Sequence, residues 1–149
     1  MENQPTQILL VEDNPHDLEL ALHALKKNNI SNQIHIARDG VEALDFIFCR
    51  GIYADRHLST YPKVILLDLK LPKVDGLEVL RRIRGDERTK RLPVVIVTSS
   101  KQDKDLLDGY ELGANSYVRK PIDFQEFAEA IKQLGNYWLQ VNESPSRGG

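Results

Sequence analysis

The sequence predicts an α/β protein: a five-stranded parallel sheet, doubly wound by helices on both faces, in (βα)5 order. Two observations predict it. Short apolar runs alternate five times with segments of helical spacing, and that alternation specifies parallel strands joined by crossover helices. Several of the runs are also apolar throughout, as strands buried on both faces must be.

Residues 7–11 form the first run, which ends at Glu12-Asp13. Asn14 suits an N-cap and Pro15 the first helical position; Leu18, Ala21, Leu22 and Leu25 then recur at helical spacing. Asn28-Asn29 is the expected stop. Residues 34–37 make a weaker second strand. Asp39-Gly40 opens a second helix with Val41, Leu44, Ile47 and Phe48 on one face, and residues 51–62 read as a loop or an extension of that helix. Residues 64–67 give the strongest strand signal and end at Asp68. After a loop containing Pro72, Asp75 caps a helix carrying Leu77, Leu80 and Ile83. Residues 94–97 form the fourth strand, ending at Thr98-Ser99-Ser100. Residues 101–112 are helical up to Gly113, a suitable C-cap residue. Residues 116–119 form the fifth strand, before Lys120-Pro121, and Phe124, Phe127, Ala128, Ile131 and Leu134 mark a last helix running to about Gln140.

A chain of 149 residues suits one domain, expected over residues 6–141, with a polar, disordered tail over 142–149. The net charge of −2, with both signs mixed along the chain, gives no basic footprint for nucleic acid. Cys49 is the only cysteine, which excludes an internal disulfide and a CxxC site. The N-terminus lacks the basic and apolar regions of a signal peptide, and no apolar run is long enough to cross a bilayer. A cytoplasmic protein that binds neither nucleic acid nor membrane is expected.

In open α/β sheets, ligands bind beyond the carboxyl ends of the strands. Here those ends carry Glu12-Asp13, Asp68, Thr98 and Lys120-Pro121. Each alone reads as an ordinary surface residue: Asp13 as a helix cap, Lys120 as the partner of some acid. Their coincidence at four strand ends points to a shared site. Two carboxylates about 4 Å apart repel by roughly 4 kcal/mol at an effective dielectric of about 20. A hard divalent cation relieves that repulsion, and Mg²⁺ is the usual choice at phosphate sites. Asp13 and Asp68 would bind it directly and Glu12 through water; Mn²⁺ is the expected substitute. A carboxylate beside a metal can act as a nucleophile and form an aspartyl phosphate. Asp68, after the most buried strand, is the expected phosphoacceptor. Lys120 supplies a cation and Thr98 a hydroxyl for the phosphoryl oxygens.

Glu12-Asp13, Asp68, Thr98 and Lys120-Pro121 resemble the response-regulator receiver domains of two-component signalling. The string Leu66-Leu67-Asp68-Leu69-Lys70-Leu71-Pro72-Lys73-Val74-Asp75-Gly76 is similar to that family's acceptor-strand signature, and Asp39-Gly40 and Gly113-Ala114-Asn115 also match. The resemblance covers about residues 6–140 and implies a flavodoxin-like strand order, 2-1-3-4-5. It implies a sensor histidine kinase as phosphodonor, with the receiver catalysing transfer onto itself and slow dephosphorylation. It adds the backbone carbonyl of Lys70 to the Mg²⁺ ligands and a cis peptide between Lys120 and Pro121. Thr98 and Tyr117 would form the switch, and Lys70 and Ser100 would tune the lifetime of the phosphoryl group. Glu12 stands where Asp is commoner. The long stretch 50–61, with a long second helix, resembles the stand-alone regulators that partner phytochrome-type kinases.

No output domain fits after the last helix, so the signal is expected to leave by protein contact. Tyr137, Trp138 and Leu139 cannot all face one side of a helix, which suggests a homodimer through the fourth helix, fifth strand and fifth helix. Three other functions fit these residues less well. A haloacid-dehalogenase-type phosphatase would need a second Asp where Lys70 stands. A non-phosphorylated binding module would not need every reactive residue. A flavin or nucleotide binder would need a Gly-rich loop after the first strand.

Overall fold

The computed structural model describes residues 8–27, 34–56, 61–98 and 108–119, without the side chains of 24, 25, 27, 98 and 116–119. Its strands are β1 (Ile8–Val11), β2 (Ile34–Ala37), β3 (Val64–Leu67), β4 (Val94–Thr98) and β5 (Ser116–Arg119). All pair in parallel, in the order β2-β1-β3-β4-β5. This is the expected order. The helices are α1 (Pro15–Lys27), α2 (Gly40–Ile47) and α3 (Gly76–Arg84), with a 3-10 turn at Gly51–Tyr53. Residues 108–111 are helical, while the rest of the fourth expected helix and all of the fifth lie outside the described residues.

Two packed layers explain the uninterrupted apolar strands. Ile8, Leu10, Val64, Leu66, Val95 and Val97 face α1, against Leu18 and Ala21. Leu9, Val11, Ile65, Leu67, Val94 and Ile96 face the other way, into a cluster with Leu44 and Ile47 of α2 and Val79, Leu80 and Ile83 of α3. Burying each such side chain contributes about 1.5–3 kcal/mol. Asn14, Asp39 and Asp75 cap the three helices: their side-chain oxygens accept the N–H groups of Asp17, Glu42 and Glu78.

Two expectations for α2 need correction. Val41 is 39% exposed, and the buried residues are Gly40, Ala43, Leu44, Phe46 and Ile47. The helical stripe begins at Gly40, whose lack of a side chain gives no hydropathy signal. The helix is also short. Cys49 takes a left-handed φ of 55° and the Arg50 N–H turns back to the Asp45 carbonyl at 2.8 Å, which closes the helix. Glycine usually marks such an end, and here no glycine marks it.

The 3-10 turn after α2 is fastened by side chains. The Tyr53 hydroxyl donates to Glu42 Oε2 at 2.8 Å and lies 2.9 Å from His35 Nε2. The His35 ring stacks on Phe46 at 4.0 Å, and the Arg56 guanidinium lies 3.6 Å from the Phe46 ring centroid. At the other end of the sheet, Arg84 donates to the carbonyls of Gly113, Lys90 and Leu92 and to Asn115 Oδ1, at 2.7–3.1 Å. It ties α3 to the turn before β5.

Burial holds the His35 pKa below its ordinary 6.5; Glu42 opposes that shift and Arg56 adds to it. The fold therefore binds fewer protons here than the unfolded chain does. The stability from neutral His35 is present above about pH 6.5 and is lost as pH falls below it. An NMR titration should place the His35 midpoint below 6.5. A midpoint at or above that value would contradict the packing described.

Candidate functional site

The strand ladders continue one residue past β1 and β3. The Glu12 N–H donates to the Ala37 carbonyl at 3.0 Å, and the Asp68 N–H to the Val11 carbonyl at 3.1 Å. Val11 stands opposite Leu67, so Glu12 and Asp68 leave the sheet side by side. Both are buried, at 4% and 5% exposure, while the next residue, Asp13, is exposed. Glu12, Asp13 and Asp68 each bring a carboxylate oxygen within 4.8 Å of the other two.

Main-chain donors orient two of these acids. Glu12 Oε2 accepts the Asn14 N–H at 3.2 Å, and Asp68 Oδ1 accepts the Lys70 N–H at 3.1 Å. Beneath them lies a small cavity lined by Leu10, Val11, Glu12, Ala21, Leu66, Asp68 and Val97, so apolar walls limit solvation from below. Two charges about 5 Å apart at an effective dielectric of about 20 repel by roughly 3 kcal/mol. An all-oxygen, anionic donor set of this kind fits a hard divalent cation such as Mg²⁺ or Mn²⁺.

The structure thus brings together Glu12, Asp13 and Asp68, with Lys70 beside them. Register puts the ends of β4 and β5 on the same rim, with Thr98 opposite Arg119 and Tyr117 opposite Ile96. The side chains of Thr98 and Tyr117, and Ser100, Lys120, Pro121, Tyr137 and Trp138 altogether, lie outside the described residues.

One residue of the site is not evident from sequence reasoning. Gly76 reads simply as the first residue of α3. In the fold its N–H donates to the Leu69 carbonyl at 2.9 Å, and a Cβ there would overlap the Asp68 carbonyl oxygen and Leu69 Cα. Gly76 therefore lets the loop close against the end of β3. The available signal was its fixed distance from Asp68 inside the matched string.

The response regulator receiver domain pattern matches residues 8–132. The chain belongs to this family. Its relatives include Response regulator Rcp1 of Synechocystis, 38% identical over 144 residues, covering 97% of this chain and 96% of Rcp1. The Mn²⁺-bound structure of Rcp1 superposes with a TM-score of 0.86 at 37% identity, over 95% of this chain and 100% of that one. The phosphorylated cyanobacterial phytochrome response regulator RcpA gives 0.87 at 36% identity, over 96% and 100%. The bacteriophytochrome response regulator AtBRR is 50% identical with a TM-score of 0.74, over 95% and 100%. This receiver domain is therefore similar to phytochrome response regulators, and its acidic cluster is of the kind that holds a divalent metal. No helix among the described residues is long and apolar enough to cross a membrane.

Metal-free protein should carry the cost of the crowded acids. Asp68→Asn removes one charge and keeps an oxygen for the Lys70 N–H. In EDTA this variant should melt roughly 3–6 °C higher than the wild type. An unchanged or lower melting temperature would show that the cluster is already neutralised.

Proposed function

We propose that this receiver domain is a stand-alone response regulator, residues 6–141 with a short tail, that takes a phosphoryl group from a histidine kinase onto Asp68. The observation that carries this reading is the convergence of Glu12, Asp13 and Asp68 at the ends of β1 and β3. The likeness to RcpA and AtBRR supports a phytochrome-type kinase as donor.

In this reading an Asp68 carboxylate oxygen attacks the phosphorus of a phosphohistidine. The P–O bond forms as the P–N bond breaks, and the electron pair stays on the kinase imidazole, which then takes up a proton. The Lys70 N–H on Oδ1 helps to fix the carboxylate rotamer. Asp13, Asp68 and the Lys70 carbonyl would hold Mg²⁺ directly, and Glu12 would act through water. The bound cation supplies charge neutralisation for the phosphoryl oxygens. The Lys120 ammonium and the Thr98 hydroxyl bind the remaining oxygens. Hydrolysis of the acyl phosphate resets the domain, and no external substrate is turned over.

Output follows from the switch pair Thr98 and Tyr117, with Lys70 and Ser100 setting the phosphoryl lifetime. It is read by protein contact, including a homodimer through the face that holds Tyr137 and Trp138. Sedimentation should show a dimer in at least one phosphorylation state; a monomer in both would exclude that face.

Acetyl phosphate with Mg²⁺ should give a phosphoryl adduct by intact mass. Asp68→Asn should abolish it, and Lys120→Ala should slow its formation by ~100-fold or more. An undiminished adduct in Asp68→Asn would refute the assignment.

A further inference from the structure

The loop between β3 and α3 begins at Asp68 and ends at Asp75. Its far limb rests on the start of α2. The Gly40 N–H donates to the Pro72 carbonyl at 3.3 Å. Gly40 lies so close to the loop that a Cβ there would overlap the Val74 carbonyl oxygen. Lys73 Nζ reaches Asp39 Oδ2 at 3.4 Å, while the other oxygen of Asp39 accepts the Glu42 N–H at 2.7 Å and caps α2. One carboxylate therefore joins the helix end to the loop.

The loop conformation is unusual at this point. Lys73 holds a φ of 70°, a left-handed conformation that non-glycine residues adopt only where their surroundings over-determine it. The Lys73–Asp39 pair, the Gly40–Pro72 bond and a Val74 N–H to Pro72 carbonyl bond at 2.8 Å are those surroundings. From there the loop returns to the site. The Leu71 and Gly76 N–H groups both donate to the Leu69 carbonyl, at 3.2 and 2.9 Å, and the Lys70 N–H donates to Asp68. The position of residues 72–74 is thus passed to the main chain at 69–70.

We infer that Asp39, Gly40 and Lys73 are positioning residues for the cation site. They stand outside the cluster of Glu12, Asp13 and Asp68 and act through the loop. A small hard cation demands near-ideal geometry, and a loop already held in its binding shape loses less freedom when the cation arrives. The clasp on α2 supplies that preorganisation. The inference rests on the divalent-cation reading of the acidic cluster.

The test is direct Mn²⁺ binding to the full chain, read from the EPR signal of free Mn²⁺, with each variant first shown folded by far-ultraviolet circular dichroism. A left-handed position accepts glycine without steric cost, so Lys73→Gly keeps the fold while removing the ion pair. It should bind Mn²⁺ about two- to fivefold more weakly. Lys73→Arg, which keeps the pair, should stay near wild type. Gly40→Ala should lose about tenfold or more; if it does not fold, the two Lys73 variants decide. Wild-type affinity in Lys73→Gly would overturn the clasp and leave the cation site standing. If the wild type binds no Mn²⁺, or Asp68→Asn binds it equally well, the cation reading falls and takes the clasp with it.

Discussion

Two ladder hydrogen bonds, from Glu12 to Ala37 and from Asp68 to Val11, carry the sheet one residue beyond its apolar strands. They hold two buried carboxylates side by side where the chain would otherwise splay them apart. Everything else at the site is arranged around that enforced proximity. The two apolar layers give the sheet the rigidity to sustain it. Asp13 joins from the solvent side, and main-chain donors turn Glu12 and Asp68 into fixed orientations. A concentrated acidic site of this kind is of the type that holds a divalent cation.

The loop that follows Asp68 is closed by glycine at its end and met by glycine from outside. Gly76 closes it against the end of β3, and Gly40 receives its far limb. Neither glycine carries a functional group, yet each gives backbone atoms the space to approach. Lys73 and Asp39 add a charge pair at the contact. Exposed pairs contribute little to overall stability, so this one is better understood as fixing a conformation than as strengthening the fold.

Most of the fold was legible in the sequence because sheets buried on both sides write themselves as unbroken apolar runs. The runs at 7–11, 64–67 and 94–97 read as strands, which the structure places at 8–11, 64–67 and 94–98, and the caps Asn14, Asp39 and Asp75 announced their helices. The acidic cluster was legible for a related reason: strand ends are fixed by where the apolar runs stop. Less could be read where glycine or tertiary contact made the decision. The buried face of α2 starts at Gly40, so a pattern seeded on Val41 was rotated away from it. The end of α2 depends on Cys49 in a left-handed conformation and on the fastening of Tyr53 and Arg56, contacts that propensity does not encode. The role of Gly40 comes from Pro72 and Val74, distant in sequence, and no local signal contains it; that of Gly76 shows only through its spacing from Asp68.

The central claim is that one divalent cation sits among Glu12, Asp13 and Asp68. Paramagnetic broadening tests it most directly. As substoichiometric Mn²⁺ is added to ¹⁵N-labelled protein, the amide signals of Glu12, Asp13, Asp68 and Lys70 should vanish first, while those of the 3-10 turn at Gly51–Tyr53 persist. Uniform broadening, or first losses elsewhere in the domain, would contradict the account.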